Sequence, residues 1–120
     1  MTYDNNNIFA RILRKEIPNS TVYEDEHVLA FNDIHAQAPT HILVIPKGAY
    51  ISMTDFAQKA SAAEQTAFFA AISKIVAEKK LDENGYRVIA NAGSDGGQEV
   101  PHFHLHILAG RKLGKMLPTA

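Results

Sequence analysis

Three of the six histidines in the chain stand at every second position of one stretch, as His102, His104 and His106. The residues that alternate with them are apolar: Phe103, Leu105 and Ile107. Strict alternation of polar and apolar residues is typical of a half-buried strand, which we predict over residues 101–108. Because successive side chains of a strand point to opposite faces, the three imidazoles would share one face. A row of imidazoles on one sheet face predicts that this face carries chemistry.

One candidate chemistry for such a row is metal binding. Neighbouring residues on one face of a strand are about 6.6 Å apart at Cα, and the outer pair, His102 and His106, about 13 Å apart. A zinc–nitrogen bond is only about 2 Å long, so one ion would not reach all three imidazoles of a straight strand. A zinc site would need His41 as a ligand from outside the stretch, or a carboxylate such as Glu99. We therefore expect no metal and no other cofactor.

The other candidate is nucleophilic catalysis by a histidine. A neutral imidazole attacks an electrophile when one ring nitrogen is free and the other is held by a neighbour. His104, the middle residue of the row, has an imidazole on each side that could orient it and meet developing negative charge. The loop over residues 93–99 contains Gly93, Gly96 and Gly97, whose N–H groups could approach an anion closely. Together the loop and the row predict phosphoryl or nucleotidyl chemistry. The alternative is that the three histidines are solvated surface residues with no chemical role.

The strands that must position this row follow from the hydrophobic pattern. We predict five of them, over residues 21–24, 28–32, 40–45, 86–91 and 101–108. The third strand is apolar on both faces, which indicates a central place in the sheet. His41 and Asn91 stand at strand ends, where each could equally be a packing or turn residue.

Two helices complete the predicted fold. The three asparagines of residues 5–7 are capping residues for a first helix, which Pro18 closes. Ser61 and Glu64 have the spacing of a capping box and open a longer helix with apolar residues at helical intervals. The predicted fold class is therefore α+β, with a five-stranded, mainly antiparallel sheet and two helices packed on it.

Composition limits the class of protein. The chain has 120 residues, 46% of them hydrophobic, which suits a single domain over residues 1–120 with short flexible ends at about 1–5 and 112–120. Lysine and arginine number 12 against 13 acidic residues, so we expect no nucleic-acid partner. The lack of cysteine excludes disulfides and thiolate zinc fingers. With no signal sequence and no apolar run of about 20 residues, we expect no membrane partner and a cytoplasmic location.

The histidine stretch is similar to the signature of the histidine triad (HIT) family, in its Hint branch. That signature alternates three histidines with apolar residues and ends on two apolar residues, as His102 to Leu108 do here. Other segments that resemble Hint proteins are residues 8–18, 30–34, 37–41, 44–47 and 91–98. The resemblance runs from residue 8 to about residue 111. Histidine at position 106, where the family's nucleotidyl transferases have glutamine, favours its hydrolases.

This resemblance implies a HIT-like fold and a homodimer whose two sheets join into one continuous ten-stranded sheet. It implies hydrolysis of purine nucleoside 5′-phosphoramidates, for example adenosine 5′-monophosphoramidate, to the nucleoside monophosphate (AMP or GMP) and an amine. The reaction would pass through a covalent nucleotidyl-histidine intermediate. Two alternatives stay open at this point: a dinucleoside polyphosphate hydrolase of Fhit type, and a nucleotide-binding adaptor protein.

The resemblance also implies roles for single residues. His104 would be the nucleophile, and His106 would contact the phosphate oxygens and stabilise developing charge. His102 and His41 would orient His104 and relay protons. Asp33 would accept hydrogen bonds from the ribose hydroxyls. The phosphate would lie against Asn91, Gly97, Gln98 and Glu99, and the base in an apolar slot formed by Ile8, Phe9, Ile12, Phe31 and Ile34.

The sequence departs from the Hint pattern at two places. Glu99 stands where the animal proteins have a phosphate-binding serine. A carboxylate there would repel a phosphate, so we expect the backbone of Glu99 to serve the phosphate more than its side chain. The last residues, up to Ala120, lack the tryptophan of the animal proteins' tail, which leaves the identity of the amine open.

Overall fold

Three helices and five strands run through residues 2–118, which the computed structural model describes. In chain order they are α1 (Ile8–Leu13), β1 (Thr21–Glu24), β2 (Val28–Asn32), β3 (Thr40–Pro46), α2 (Met53–Lys59), α3 (Ala62–Glu78), β4 (Tyr86–Ala90) and β5 (Leu105–Ala109). The first two strands have their predicted bounds, and the third and fourth differ from prediction by one residue at one end. Met1, Thr119 and Ala120, within the ends predicted to be flexible, lie outside the described residues.

The five strands form one antiparallel sheet in the order β1-β2-β3-β5-β4. β3 lies in the middle, between β2 and the histidine-bearing β5. Leu43 of β3 stands opposite Phe31 of β2 and His106 of β5, so these three side chains lie side by side on one face. The predicted fold class, α+β with a five-stranded antiparallel sheet, is confirmed.

Both faces of the central strand are buried, each beneath a different helix. Ile42 and Val44 of β3 belong to the larger core, which includes Phe68 of α3. Leu43 of the same strand belongs to a second core, which includes Phe9 of α1. The prediction of a central strand that is apolar on both faces is therefore confirmed, because α3 covers one face and α1 the other.

The helix count differs from the prediction. The longest helix, α3, begins as predicted: Ser61 Oγ accepts from the Glu64 N–H at 3.1 Å, and Glu64 Oε1 accepts from the Ser61 N–H at 3.0 Å. α2 is an addition to the two predicted helices. It has seven residues, of which only Phe56 is buried, so its apolar pattern is too short to indicate a helix. Within residues 2–118, no helix has the length and hydropathy to cross a membrane.

Helix α1 is short and fixed at both ends. The Asn7 side chain accepts from the N–H groups of Phe9 (3.0 Å) and Ala10 (2.9 Å), as predicted for a capping asparagine. Lys15, with a φ of 63°, follows the helix in the left-handed region and ends it. Phe9 and Ile12 are buried, so α1 turns its apolar side toward the sheet and forms a wall above it.

The histidine stretch is only partly a strand, which corrects the prediction over residues 101–108. β5 begins at Leu105 instead of residue 101. The neighbouring strand β3 ends at Pro46, which has no N–H to continue the ladder, and the Pro46 carbonyl accepts from His102 Nε2 at 2.8 Å. The Phe103 N–H donates instead to the carbonyl of Tyr50 at 2.7 Å. The predicted separation of faces is confirmed on the apolar side, because Phe103 and Leu105 lie in the larger core.

Candidate active site

A cavity of about 490 Å³ opens beside α1, the end of β2 and the loop that follows β4. Its size suits a small organic ligand. Of the residues predicted to bind the nucleotide, all but one line it: Ile8, Phe9, Ile12, Phe31, Asp33, Ile34, Asn91, Gly97, Glu99, His104 and His106. The exception is Gln98. Of the other two predicted catalytic residues, His41 is 3% exposed and His102 is fully buried, and both lie behind the cavity wall.

His104 is held as one neutral tautomer. Its Nδ1 lies 2.8 Å from the carbonyl oxygen of His102, and because a carbonyl only accepts, Nδ1 carries the proton. Nε2 is therefore the nitrogen with the lone pair. This Nε2 has no hydrogen-bond partner within residues 2–118, whereas every fully buried side-chain nitrogen or oxygen there has one. Nε2 is therefore not fully buried, and it is open to the cavity that His104 lines. Burial lowers the pKa of His104, while the His102 carbonyl and the charges of Asp33 and Glu99 oppose this.

His41 and His106 form a second pair with defined tautomers. The backbone N–H of Gln37 donates to His41 Nδ1 at 3.0 Å, so the neutral ring has its proton on Nε2. This Nε2 donates to Nδ1 of His106 at 2.9 Å, which leaves the His106 proton on its own Nε2. Burial lowers the pKa of His106 to about 4, and the neighbouring His104 and His41 act in the same direction. His106 therefore offers a neutral N–H donor to the cavity, and His41 contacts His106 instead of His104.

Asp33 lies beside this pair. Its Oδ2 is 3.4 Å from His41 Nε2, and its Oδ1 accepts from the N–H of His35 at 2.8 Å. Asp33, His41 and His106 each offer one ligand atom within 4.8 Å of the others, a grouping that could hold a divalent cation. The carboxylate in this group is Asp33, where the sequence argument named Glu99. The hydrogen bond between the two imidazoles accounts for the closeness of these atoms without an ion.

His102 supports the site from behind. Its Nε2 donates to the carbonyl of Pro46 at 2.8 Å, so Nε2 carries the proton. Nδ1 then accepts from the hydroxyl of Tyr3 at 2.6 Å. Burial lowers the pKa of His102 to about 4. The predicted row of three imidazoles is thus two that face the cavity, His104 and His106, and a third whose backbone carbonyl holds His104.

The loop after β4 contributes Asn91, Gly97 and Glu99 to the cavity wall. Asn91 Nδ2 donates to the Gly96 carbonyl at 2.6 Å and so folds the loop back onto the end of the strand. Gly97 has a φ of +76°, and nothing lies within 4 Å of the place where a Cβ would stand. A ligand can therefore approach the backbone closely at this point.

Gln98 serves the loop and not the cavity. Its Nε2 donates to the carbonyls of Ile51 at 2.6 Å and Val100 at 3.0 Å. Its Oε1 accepts from the N–H of Gly93 at 3.1 Å. With donor and acceptor both engaged inside the protein, the side chain anchors the loop to the segment before α2.

Several cavity residues were absent from the sequence prediction: Ile17, Pro18, Asn19, Ser20, Asn32, His35, Gln37, Leu43 and Val100. One of them had a usable signal. Leu43 alternates with the core-facing residues of β3, and its partners across the sheet are Phe31 and His106. The contact between Tyr3 and His102 joins residues 99 positions apart, and no motif in the sequence indicates it.

Comparison with known proteins identifies the family and the fold. The model of the HIT domain family matches residues 14–113. A 13.2 kDa HIT-like protein of Azospirillum brasilense is 56% identical over 116 residues, covering 97% of this chain and 95% of the relative. A purine nucleoside phosphoramidase of Escherichia coli K12 is 46% identical over 110 residues, covering 92% of each chain. A histidine triad protein from Clostridium difficile, solved at 0.95 Å, is 47% identical with a TM-score of 0.83, covering 97% of this chain and 100% of that one.

The family match extends over most of the chain, and the fold is that of solved histidine triad proteins. The chain belongs to the histidine triad (HIT) family. The family resemblance drawn from the histidine stretch is thereby confirmed.

Proposed function

We propose that this protein hydrolyses purine nucleoside 5′-phosphoramidates to a nucleoside monophosphate and an amine. The observation that carries the proposal is the state of His104. Its imidazole is neutral, with Nδ1 tied to the His102 carbonyl and Nε2 open to the cavity. The Escherichia coli relative, whose name is purine nucleoside phosphoramidase, supports the substrate class.

The proposed reaction has two displacements at phosphorus. In the first, His104 Nε2 attacks the α-phosphorus, the phosphorus–nitrogen bond breaks, and the amine leaves with a proton taken from water. In the second, water attacks the nucleotidyl-histidine, the bond to Nε2 breaks, and the water returns a proton to solvent as the nucleoside monophosphate leaves. Splitting one displacement into two is the general advantage of a covalent intermediate.

The neighbouring histidines would support the reaction from fixed positions. His106 lines the cavity, and its Nε2–H would donate to a phosphate oxygen and stabilise the charge that develops there. His41 fixes the tautomer of His106 through the 2.9 Å hydrogen bond, and His102 fixes that of His104 through its carbonyl. Pre-set donors of this kind need no reorganisation when the charge appears.

The rest of the cavity suits the nucleoside. Ile34 is 88% exposed and Ile8 45% exposed, although both are apolar and both line the cavity. A purine between them and the buried Phe9 and Phe31 would cover this apolar surface. Asp33 lies next to the histidine pair, where its carboxylate could accept from the ribose hydroxyls. We propose that Asn91 and the backbone from Gly97 to Glu99 hold the phosphate.

The charges around the cavity favour a phosphoramidate over a dinucleoside polyphosphate. Among the described residues that line the cavity there is no lysine or arginine, whereas two carboxylates, Asp33 and Glu99, are present. A phosphoramidate carries about one negative charge at the reacting phosphorus, which neutral N–H donors can accommodate. A polyphosphate chain carries several charges and would call for cationic side chains.

We also propose that the protein is a homodimer. β4 forms an outer edge of the sheet, and its Tyr86 and Val88 are 42% and 41% exposed. Phe69 of α3, the helix that precedes β4 in the chain, is 66% exposed. An open edge with exposed apolar side chains is suited to pairing with a second copy, which would join two sheets into a ten-stranded one. Sedimentation equilibrium should show a dimer that Val88→Lys weakens; a monomeric parent protein would contradict this.

The first experiment is AMP release from adenosine 5′-phosphoramidate by the purified protein in excess chelator. Turnover under these conditions supports covalent catalysis by His104. Turnover that appears only when zinc is added would show that Asp33, His41 and His106 act as metal ligands instead. No turnover with either, together with intact AMP binding, would favour the nucleotide-binding adaptor. His27→Ala, in the turn before β2 and outside the cavity, is the matched control for His104→Ala.

A further inference from the structure

Tyr3 lies outside the residues that match the HIT family model, yet it contacts His102 of the histidine stretch. Its hydroxyl is 2.6 Å from Nδ1 of His102, and its ring packs edge-on against that imidazole with 5.7 Å between centroids. Tyr3 does not line the cavity. Its hydrogen bond to His102 is therefore the route by which we expect it to act on the site.

The direction of this hydrogen bond is settled by the other nitrogen of the ring. His102 Nε2 faces the Pro46 carbonyl, which only accepts, so Nδ1 has the lone pair and Tyr3 is the donor. Burial raises the pKa of Tyr3, which keeps its hydroxyl protonated. Within the described chain both nitrogens of His102 thus have partners, and in the neutral ring neither bond can be reversed without losing the other.

The orientation of His102 matters because its backbone carbonyl holds the nucleophile. That carbonyl accepts from His104 Nδ1 at 2.8 Å. Residues 101–104 precede β5, so no ladder of strand hydrogen bonds fixes this carbonyl. The bonds that do hold the segment are few: the His102 N–H to the Val100 carbonyl, the Phe103 N–H to the Tyr50 carbonyl, and the two side-chain bonds of His102.

Several hydrogen bonds order the segment before α1 that carries Tyr3. The Asp4 carbonyl accepts from Asn7 Nδ2 at 2.7 Å, and the Asp4 carboxylate accepts from the Asn6 N–H at 2.9 Å. Arg14 Nη1 donates to the Asn5 carbonyl at 2.7 Å. These bonds tie residues 4–7 to both ends of α1, so Tyr3 reaches His102 from an ordered turn.

We propose that Tyr3 is a positioning residue of the active site: its hydroxyl fixes the tautomer of His102 and, through the His102 carbonyl, the orientation of His104. Only the kinetic consequence rests on the proposed phosphoramidase function. The tautomer itself is a property of the free protein.

The test variant is Tyr3→Phe, which keeps the ring and removes the donor. The ring nitrogens of His102, observed by ¹⁵N–¹H correlation spectroscopy, should show Nε2 protonated and Nδ1 as a hydrogen-bond acceptor in the parent protein. In Tyr3→Phe the Nδ1 signal should move toward that of a nitrogen without a donor. The pH at which His102 titrates should rise, because a donor to Nδ1 favours the neutral ring. Tyr23→Phe is the matched control, because Tyr23 lies on β1 and its hydroxyl donates to the Asp25 carboxylate instead.

The kinetic readout separates positioning from binding. With adenosine 5′-phosphoramidate, kcat of Tyr3→Phe should fall about tenfold, the size expected for loss of one buried hydrogen bond. KM should stay within about twofold, because Tyr3 touches no cavity surface. The acid limb of kcat should move to higher pH in Tyr3→Phe and stay in place in Tyr23→Phe.

Two results would overturn the proposal. The first is a set of His102 nitrogen shifts and a titration that Tyr3→Phe leaves unchanged. The second is a loss of activity in Tyr3→Phe that comes with an equal loss in the Tyr23→Phe control, which would indicate a general effect on folding. If the parent protein has no phosphoramidase activity, the proposed function fails, and the nitrogen shifts still decide the role of Tyr3.

Discussion

Acid should destabilise this protein at a pH well above that at which its carboxylates are protonated, because His102 cannot easily accept a proton in the folded state. Both of its ring nitrogens are engaged, one to a carbonyl and one to a hydroxyl, and the side chain is fully buried. Burial lowers its pKa from 6.5 to about 4. In the unfolded chain His102 would titrate at the ordinary value near 6.5.

The sign and size of the pH effect on stability follow from this difference between the folded and unfolded pKa values. The unfolded state binds the proton first as the pH falls, so the folded state is favoured fully above about pH 6.5 and loses this advantage as the pH approaches 4. At about 1.4 kcal/mol per pH unit, the gap between 6.5 and about 4 corresponds to roughly 3 kcal/mol. This is a large share of the stability of a typical small domain.

The assay is urea unfolding at a series of pH values from 7.5 to 4.5, with the parent protein, His102→Gln and His35→Gln. Glutamine can still donate to the Pro46 carbonyl and accept from Tyr3, but it takes up no proton. The free energy of unfolding should therefore fall less across this pH range for His102→Gln than for the parent. The difference between the two falls should approach roughly 3 kcal/mol at the acid end. His35, which is exposed, controls for loss of a histidine in general. Equal falls for the parent and His102→Gln would refute the reasoning.

Three further outcomes follow from the structure. Glu99→Gln should tighten AMP binding several-fold by calorimetry, more so at low salt, because it removes a negative charge from the cavity wall; unchanged affinity would mean that this carboxylate points away. The acid limb of kcat should lie below pH 6.5, because burial lowers the pKa values of His104 and His106; a limb at 6.5 or above would contradict their neutral state. Phe68→Ala should cost about 3–5 kcal/mol of unfolding free energy, because Phe68 is 1% exposed and packs among other aromatic rings. Met53 is half exposed, so Met53→Ala should change the unfolding free energy by less than about 0.5 kcal/mol. Similar losses in both variants would place the core elsewhere.

The sequence was sufficient for those parts of the fold that rest on local patterns. The continuous apolar run of β3, the capping box at Ser61 and the capping asparagine at Asn7 all depend on residues close together in the chain. α2 could not be found in the same way, because only Phe56 among its seven residues is buried. The start of β5 depended on Pro46, a residue on another strand that ends the hydrogen-bonded ladder.

For the candidate site, too, the sequence predicted local features and missed those that depend on distant contacts. The residue types that suit a nucleotide could be named from the sequence, and nearly all of them line one cavity. The tautomers could not, because each is fixed by a partner that is distant in the chain or belongs to the backbone: Tyr3 and Pro46 for His102, and Gln37 for His41. The contact of His41 with His106 likewise became visible only when β3 and β5 were paired in register.

The central claim is that His104 attacks phosphorus through Nε2, and trapping the intermediate tests it most directly. The protein would be mixed with adenosine 5′-phosphoramidate in excess chelator, quenched within one turnover in denaturing alkali, and examined by intact-mass and peptide mass spectrometry. We predict an adenylylated protein with the nucleotide on His104, formed and consumed at rates that match turnover, and absent from His104→Ala. Normal turnover with no adduct at any time, or an adduct on a residue other than His104, would contradict the assignment.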